Sequence, residues 1–146
     1  MLEYEYLKTD QRILSCLPER KTRSNKGTYG KVLCIAGSPD MAGAAYLCAW
    51  AAYRTGAGLV KILTPAENRL ILQNLLPEAL LSTFDTKAPD IRKVEEAFAW
   101  ADVAAAGPGL GKEPWAYELT RLAMEEFHKP LVVDADGLNH LAAHKE

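Results

Sequence analysis

The chain has 146 residues, 49% of them hydrophobic and 25% charged, which suits one folded domain and argues against disorder. A net charge of -2 and the lack of a Lys/Arg block argue against nucleic acid and anionic membranes as partners. No apolar stretch reaches the roughly 18 residues that a membrane span needs, and the polar, acidic N-terminus is not typical of a signal peptide. We therefore expect a cytoplasmic protein.

Residues 1–30 are polar and mixed in charge, and we interpret them as a lead-in with a short helix over residues 9–17. From residue 31 onward, short apolar runs of strand length alternate with helical segments. We predict strands at 32–36, 59–63, 79–82, 102–106 and 131–133, and helices at 43–55, 66–75, 91–100, from 114 onward and at 138–144. This alternation favours one α/β domain over residues 31–146, with a mainly parallel sheet between two helical layers.

The three cysteines, Cys16, Cys34 and Cys48, show no C-x-x-C spacing. Cys34 and Cys48 lie within apolar runs, which indicates buried, reduced thiols rather than metal ligands or disulfide partners. This agrees with a reducing compartment.

Three strand-to-helix turns contain unusual residues, and in a parallel sheet all such turns lie at the carboxyl edge, where ligands bind. The first, residues 37–44, reads GSPDMAGA and leads into a helix. Its small residues let a ligand approach the backbone, and the helix start offers free N–H groups. Tight packing of helix against sheet would require the same small residues, so both interpretations stay open.

The second turn, residues 107–111, reads GPGLG, and we call it the glycine turn. Its amides could cradle phosphate oxygens, although a plain tight turn has the same composition. It is not a P-loop, because Lys112 is followed by Glu113. It is not the dinucleotide fingerprint either, because the third glycine comes one residue early. A Rossmann dehydrogenase stays open as a rival, since Asp134 follows the next strand, where a ribose-binding acid would lie.

The third turn, residues 134–139, reads DADGLN. Strand periodicity would place Asp134 and Asp136 on one face if the strand continued that far. Two carboxylates there could hold a metal ion, orient a hydroxyl, or act as acid and base. Alternatively, Asp136 is the N-cap of the following helix. Both roles can hold together.

The histidines carry weaker signals. His140 and His144 are spaced i, i+4, as in a metal-binding pair, but no third ligand is evident, and we interpret them as part of a solvated helix. His128 lies at a predicted helix end, where compensation of the helix dipole accounts for it. We predict no metal site.

Five segments together resemble the ADP/ATP-dependent NAD(P)H-hydrate dehydratases in order and approximate spacing. They are residues 26–38, 41–45, 54–60, 107–111 and 133–139. The resemblance implies a ribokinase-like three-layer fold. It also implies an enzyme that uses ADP or ATP to drive removal of water from hydrated NADH or NADPH, which restores the cofactor.

The resemblance further implies a set of substrate contacts around one cavity: Ala44, Gly109 or Gly111, Asp134, Asp136 and Asn139. Amides of the turn would bind the pyrophosphate of the dinucleotide. The hydroxyl of the hydrated ring would become a leaving group through a nucleotide phosphoryl group.

The chain also departs from the family pattern. The family domain is nearly twice this length, and its later part carries a Thr-Pro-His loop, a Lys-Gly nucleotide segment and a Gly-Asp motif with the catalytic aspartate. This sequence stops at Glu146, before those motifs. We therefore expect an incomplete, N-terminal, substrate-side half. It would have no catalytic residue, no metal site and no site of its own for ADP or ATP with Mg²⁺.

Two alternatives stay open. One is a fragment of a ribokinase-like small-molecule kinase. The other is a non-catalytic α/β module that self-associates, because an incomplete sheet would leave a strand edge and an apolar helix face uncovered. We accordingly expect a homo-oligomer.

Overall fold

The computed structural model describes residues 19–143. Strands of this part are β1 (Lys31–Ile35), β2 (Leu59–Pro65), β3 (Leu80–Phe84), β4 (Val103–Ala106) and β5 (Leu131–Val133). Its α-helices are α1 (Ala42–Arg54), α2 (Arg69–Leu75), α3 (Ile91–Trp100), α4 (Pro114–Glu126) and α5 (Asp136–Ala143). Two short 3₁₀ turns cover Lys26–Tyr29 and Ala66–Asn68. The predicted helix over 9–17, Cys16 and His144 lie outside the described residues.

The sheet is parallel throughout, in the order β3-β2-β1-β4-β5, as the alternating pattern predicts. Helices cover both of its faces, because successive side chains of a strand point to opposite sides. On β1, Leu33 packs in a cluster with α3 and α4, while Cys34 packs in a second cluster with α1 and α2. The result is the predicted three-layer α/β/α arrangement, with the ends of β1, β4 and β5 adjacent.

Element bounds agree with the predictions most closely where the local pattern is strongest, at α3 and β5. β2 runs two residues further than expected, to Pro65, because its end pairs with β3 in register Pro65 to Phe84. The helix predicted at 66–75 divides into a 3₁₀ turn and α2. The last helix begins at Asp136 rather than at residue 138. Long-range pairing therefore sets the ends that periodicity misplaces.

Both described cysteines are free thiols, as expected. Cys34 is fully buried on β1, and Cys48 is half-buried on α1. A hydrogen bond to the Cys48 sulfur, together with burial, raises the pKa of Cys34 far above its usual range. The Cys34 thiol is therefore an inert part of the core.

The β5 edge of the sheet is exposed. Among residues 19–143, no strand pairs with β5 on the side away from β4. Val132 of β5 is 61% exposed and Leu138 of α5 is 50% exposed. Among residues 19–143, β5 thus has an unpaired edge, and one apolar side chain of β5 and one of α5 are exposed. In the same part of the chain, no helix combines the length and the apolar character of a membrane span.

Candidate functional site

The first turn and the glycine turn are joined directly. The N–H of Gly37 donates to the carbonyl of Pro108 at 2.9 Å, and the N–H of Gly107 donates to the carbonyl of Ile35 at 3.0 Å. The parallel pairing of β1 with β4 therefore continues past the strand ends into the turns. This confirms that the two turns share one edge of the sheet.

The third turn lies against the glycine turn on its other side. The N–H of Asp134 donates to the carbonyl of Ala106 at 3.0 Å. A Cβ atom at Gly107 would lie 1.8 Å from the Asp134 carbonyl oxygen, so only glycine permits this contact. Gly107 also has φ 126, a conformation that side chains disfavour. The predicted meeting of all three turns is therefore confirmed.

The glycine turn also lies close to the start of α1. A Cβ atom at Gly109 would be 2.5 Å from the Cβ of Ala44 and 3.2 Å from the Cβ of Met41. Since Ala44 is the smallest residue with a side chain, this contact leaves little room at either position. The two predicted substrate contacts Ala44 and Gly109 are therefore neighbours, and both are half-buried.

The first turn is held from the core by Asn68, a residue that sequence reasoning missed. Asn68 is fully buried, and its Nδ2 donates to the carbonyl of Ser38 at 3.1 Å and to Oγ1 of Thr64 at 2.8 Å. The sequence offers no signal for this role, because Asn68 lies between Glu67 and Arg69 in a segment typical of an exposed helix start.

Asp136 is bonded to the glycine turn. Its Oδ2 accepts a hydrogen bond from the N–H of Gly111 at 2.9 Å, and its Oδ1 accepts one from Nδ2 of Asn139 at 3.2 Å. The helix already begins at Asp136, so this side chain lies in the first turn of α5, where the helix dipole favours a negative charge. Asp136 therefore fixes the glycine turn.

Asp134 lies in a different environment from Asp136. β5 ends at Val133, and Ala135 has φ 48, so strand alternation does not reach the two aspartates. Asp134 is exposed, and its carboxylate makes no hydrogen bond or ion pair with the described residues. Asn139 is also exposed.

His140 is buried, and the prediction of a solvated helix is wrong at this position. It is 6% exposed; its Nδ1 lies 2.9 Å from Oγ1 of Thr120, and its Nε2 lies 2.8 Å from the carbonyl of Gly111. His140 faces inward because α5 packs on α4. The i, i+4 spacing of the two histidines carries no information about that packing. Residues 19–143 contain no group of three His, Cys, Asp or Glu side chains that could hold a metal ion.

A cleft of about 490 Å³ opens at this edge, between the first turn, the end of the glycine turn and the loop after β3. It is lined by Ser38, Pro39, Asp40, Met41, Thr86, Lys87, Leu110, Gly111, Lys112, Glu113 and Trp115. Of the predicted contacts, Gly111 is in this lining. Ala44, Gly109, Asp134, Asp136 and Asn139 belong to the three turns but lie outside the lining, and no residue of the third turn lines the cleft. A second cavity of about 300 Å³, beneath Trp115 between α3 and α4, is mostly apolar and has no converging polar groups.

Two lysines, Lys87 and Lys112, line the cleft together with two acidic residues, Asp40 and Glu113, a mixed set of charges that sequence reasoning missed. Lys87 and Lys112 are exposed, and neither forms an ion pair within residues 19–143. Lys87 lies in a loop shaped by Asp85, whose Oδ1 accepts the Lys87 N–H at 2.9 Å. The ammonium groups of the two lysines suit anionic groups of a ligand, and the carboxylates of Asp40 and Glu113 suit its hydroxyl groups. The sequence gives no sign that Lys87 lines the cleft, because its loop reaches the cleft only in the folded chain.

A parallel sheet between two helical layers, with a polar cleft at its carboxyl edge, places the chain in the ribokinase-like class of α/β folds. A ribokinase-like superfamily protein from Enterococcus faecalis has this fold, with a TM-score of 0.81 over 99% of this chain and 52% of that chain at 24% identity. Residues 32–146 match the family model of NAD(P)H-hydrate dehydratase. The chain belongs to the NAD(P)H-hydrate dehydratase family, as its five segments indicated.

Several relatives illustrate the match. The bifunctional NAD(P)H-hydrate repair enzyme Nnr of Escherichia coli is 38% identical over 126 residues, which are 86% of this chain and 23% of that enzyme. The ADP-dependent (S)-NAD(P)H-hydrate dehydratase of Listeria monocytogenes is 32% identical over 132 residues, which are 89% of this chain and 46% of that enzyme. This chain therefore spans less than half of these relatives.

A solved structure agrees with these relatives. The ADP/ATP-dependent NAD(P)H-hydrate dehydratase of Bacillus subtilis, co-crystallized with ATP/Mg²⁺, is 30% identical to this chain. The TM-score is 0.71, and the match covers 89% of this chain and 46% of that chain. The structural comparison and the sequence comparison thus indicate the same family.

Proposed function

We propose that this chain supplies the substrate-side part of a nucleotide-dependent NAD(P)H-hydrate dehydratase. In this proposal, hydrated NADH or NADPH binds at the carboxyl edge of the sheet and loses water there. One observation carries the proposal: the hydrogen bond from Gly37 to Pro108, which brings the first turn and the glycine turn together beside one cleft. Family membership gives that cleft its substrate class.

The pyrophosphate of such a substrate needs cations and free amides. Gly111 cannot donate its N–H to a phosphate without releasing Asp136. In the described part of the chain, the N–H groups of Gly109 and Lys112 donate to no other residue. We therefore propose that these amides and the ammonium groups of Lys87 and Lys112 bind the phosphates.

The remaining predicted contacts lie in the three turns outside the lining of this cleft, and we propose roles for them there. The small side chain of Ala44 lets the glycine turn lie close to the start of α1 at Gly109, because a larger side chain would collide with the turn. Asp134 and Asn139 are exposed polar groups for the ribose or ring hydroxyls. Asp136 acts through Gly111 rather than by direct contact.

ADP or ATP would supply the phosphoryl group that turns the ring hydroxyl into a leaving group. We assign no Mg²⁺ ligands to residues 19–143, in which no group of three His, Cys, Asp or Glu side chains could hold a metal ion. We assign no catalytic residue to them either, because the resemblance places the catalytic aspartate in the later part of the family domain. The proposed task of this chain is to bind and orient the hydrated cofactor, in the cytoplasm.

The test compares ligands by thermal shift and titration calorimetry. Hydrated NADPH should raise the melting temperature, and Mg-ATP alone should raise it less. Replacing Lys112 with Met should weaken binding of hydrated NADPH about tenfold, as expected for the loss of one charge-assisted hydrogen bond. Lys21→Met removes an equal charge from an exposed position outside the cleft lining and should leave binding unchanged. A stronger shift with ATP alone would contradict the assignment of this cleft to the substrate.

Self-association is a second candidate function, favoured by the exposed β5 edge and by Val132 and Leu138 beside it. We propose that two copies cover this edge. Size-exclusion chromatography over a dilution series should then show a concentration-dependent dimer, which Val132→Lys should abolish. A monomer at the highest concentration would exclude this candidate.

A further inference from the structure

The peptide group of Gly111 is held on both sides by one helix. Its N–H donates to Oδ2 of Asp136 at 2.9 Å, and its carbonyl lies 2.8 Å from Nε2 of His140. Asp136 and His140 are four residues apart on α5, so they lie on the same helical face, one turn from each other. We call this pair with Gly111 the α5 clamp.

The clamp continues into α4. Nδ1 of His140 lies 2.9 Å from Oγ1 of Thr120, which in turn lies 3.0 Å from the carbonyl of Ala116. Thr120 and His140 are both buried, so these bonds are shielded from competing water. Because a carbonyl oxygen only accepts hydrogen bonds, Nε2 of His140 carries a hydrogen and donates it to Gly111.

The glycine turn needs such a restraint from outside. Its own backbone bond joins Leu110 to Gly107 and stops short of Gly111. Gly111 has φ 77, and a glycine without restraint populates several backbone conformations. A Cβ atom at Gly111 would meet nothing closer than the methyl group of Met41 at 3.6 Å, so steric contact does not fix this residue. The conformation of Gly111 is therefore fixed by its hydrogen bonds to Asp136 and His140.

We propose that His140 is a positioning residue, which acts with Asp136 to hold the Gly111 peptide and thereby sets the shape of the glycine turn. Since Gly111 lines the cleft, the clamp also decides how the following residue, Lys112, is presented to a ligand. That consequence for hydrated NAD(P)H rests on the proposed function. The clamp itself is a property of the free chain.

Two amide replacements of His140 separate its two hydrogen bonds. The side-chain nitrogen of Gln reaches the position of Nε2, so His140→Gln can still donate to Gly111. The shorter side chain of Asn reaches only the position of Nδ1, so His140→Asn can keep the bond to Thr120 and loses the bond to Gly111. Both variants bury a neutral amide, and they therefore differ mainly in which partner they keep.

The measurement is amide hydrogen exchange of Gly111 in the full chain, followed by NMR. We expect exchange about tenfold faster than wild type in His140→Asn and within about twofold in His140→Gln, because one hydrogen bond of the clamp is lost in the first and kept in the second. His128→Gln, at an exposed histidine in the lining of a different cavity, should leave Gly111 unchanged. The free energy of unfolding of each variant, measured by urea denaturation, is used to correct its exchange rate for differences in global stability.

Equal exchange in the Gln and Asn variants, after that correction, would overturn the proposal, because His140 would then act only by filling space. If neither variant folds, the proposal is tested on the wild-type chain by the exchange of one side-chain proton. The Nε2–H proton of His140 should give a slowly exchanging NMR signal, and rapid exchange with water would overturn the clamp.

Binding of hydrated NADPH gives the functional readout. The Kd should rise about tenfold in His140→Asn and stay near the wild-type value in His140→Gln. If wild-type chain binds no hydrated NADPH, the proposed function fails, while the exchange rates of Gly111 still decide the clamp. If binding is tight and equal in all variants, the glycine turn does not need the clamp for this ligand, and the functional part of the inference is wrong.

Discussion

The first turn and the glycine turn border the same cleft, yet they are fixed from opposite directions. The first turn is held from the core by Asn68, which follows β2 and is fully buried. The glycine turn is held by Asp136 and His140 of α5, which lies beside the exposed edge of the sheet. The first turn is therefore coupled to the folding of the whole domain, whereas the glycine turn is coupled to the docking of one helix.

This difference separates stability from ligand geometry. Damage to the support of the first turn should lower the stability of the whole domain, because Asn68 belongs to the packed interior. Damage to the support of the glycine turn should change local exchange and binding first, with a smaller cost in global stability.

The largest effect is expected where the glycine turn meets the third turn. Gly107→Ala places a Cβ atom 1.8 Å from the Asp134 carbonyl oxygen, at φ 126. The backbone must move, and we expect a loss of at least ~3 kcal/mol in the free energy of unfolding. Urea denaturation measures it. Gly43→Ala is the matched control, since a Cβ atom there meets nothing within 4 Å. Equal stability of the two variants would show that the three turns do not pack as described.

A smaller loss is expected when the support of the first turn is removed. Asn68→Ala leaves the Ser38 carbonyl and the Thr64 hydroxyl without the Asn68 amide. We expect a loss of about 2 kcal/mol in unfolding free energy, with the glycine turn unaffected in hydrogen exchange after correction for stability. Asn74→Ala, at an exposed asparagine of α2, should cost much less. Selective loosening of Gly111 in Asn68→Ala would contradict the separation of the two supports.

The smallest loss is expected at the far end of the clamp. Thr120→Val keeps the shape of the side chain and removes the hydroxyl that lies between His140 and Ala116. Unfolding free energy should fall by about 1 kcal/mol, since the buried hydroxyl is lost with its contacts to His140 and Ala116 while packing is kept. Gly111 exchange should rise in parallel. Thr55→Val, at an exposed threonine after α1, serves as the control. A change confined to global stability, with Gly111 still protected, would show that Thr120 does not support the clamp.

The sequence by itself determined the architecture and the edge of the sheet at which the three turns meet. Short apolar runs alternating with helical segments indicate a parallel sheet, and the glycines, proline and aspartates that follow three strands mark its carboxyl edge. These features are local, so residues close in sequence report them. The bounds of α3 and β5 follow for the same reason. Resemblance in five segments indicated the family.

Only the tertiary structure decided what each polar group does. The partner of Asp136 is 25 residues away, that of His140 in the glycine turn is 29 away, and Asn68 reaches Ser38 across 30 residues. Neither periodicity nor composition carries information about such pairings. An i, i+4 histidine on a terminal helix is ordinarily solvated, and here the packing of α5 on α4 buries it. Side-chain roles at this site come from where the helices dock, because burial and hydrogen-bond partners depend on contacts between distant parts of the chain.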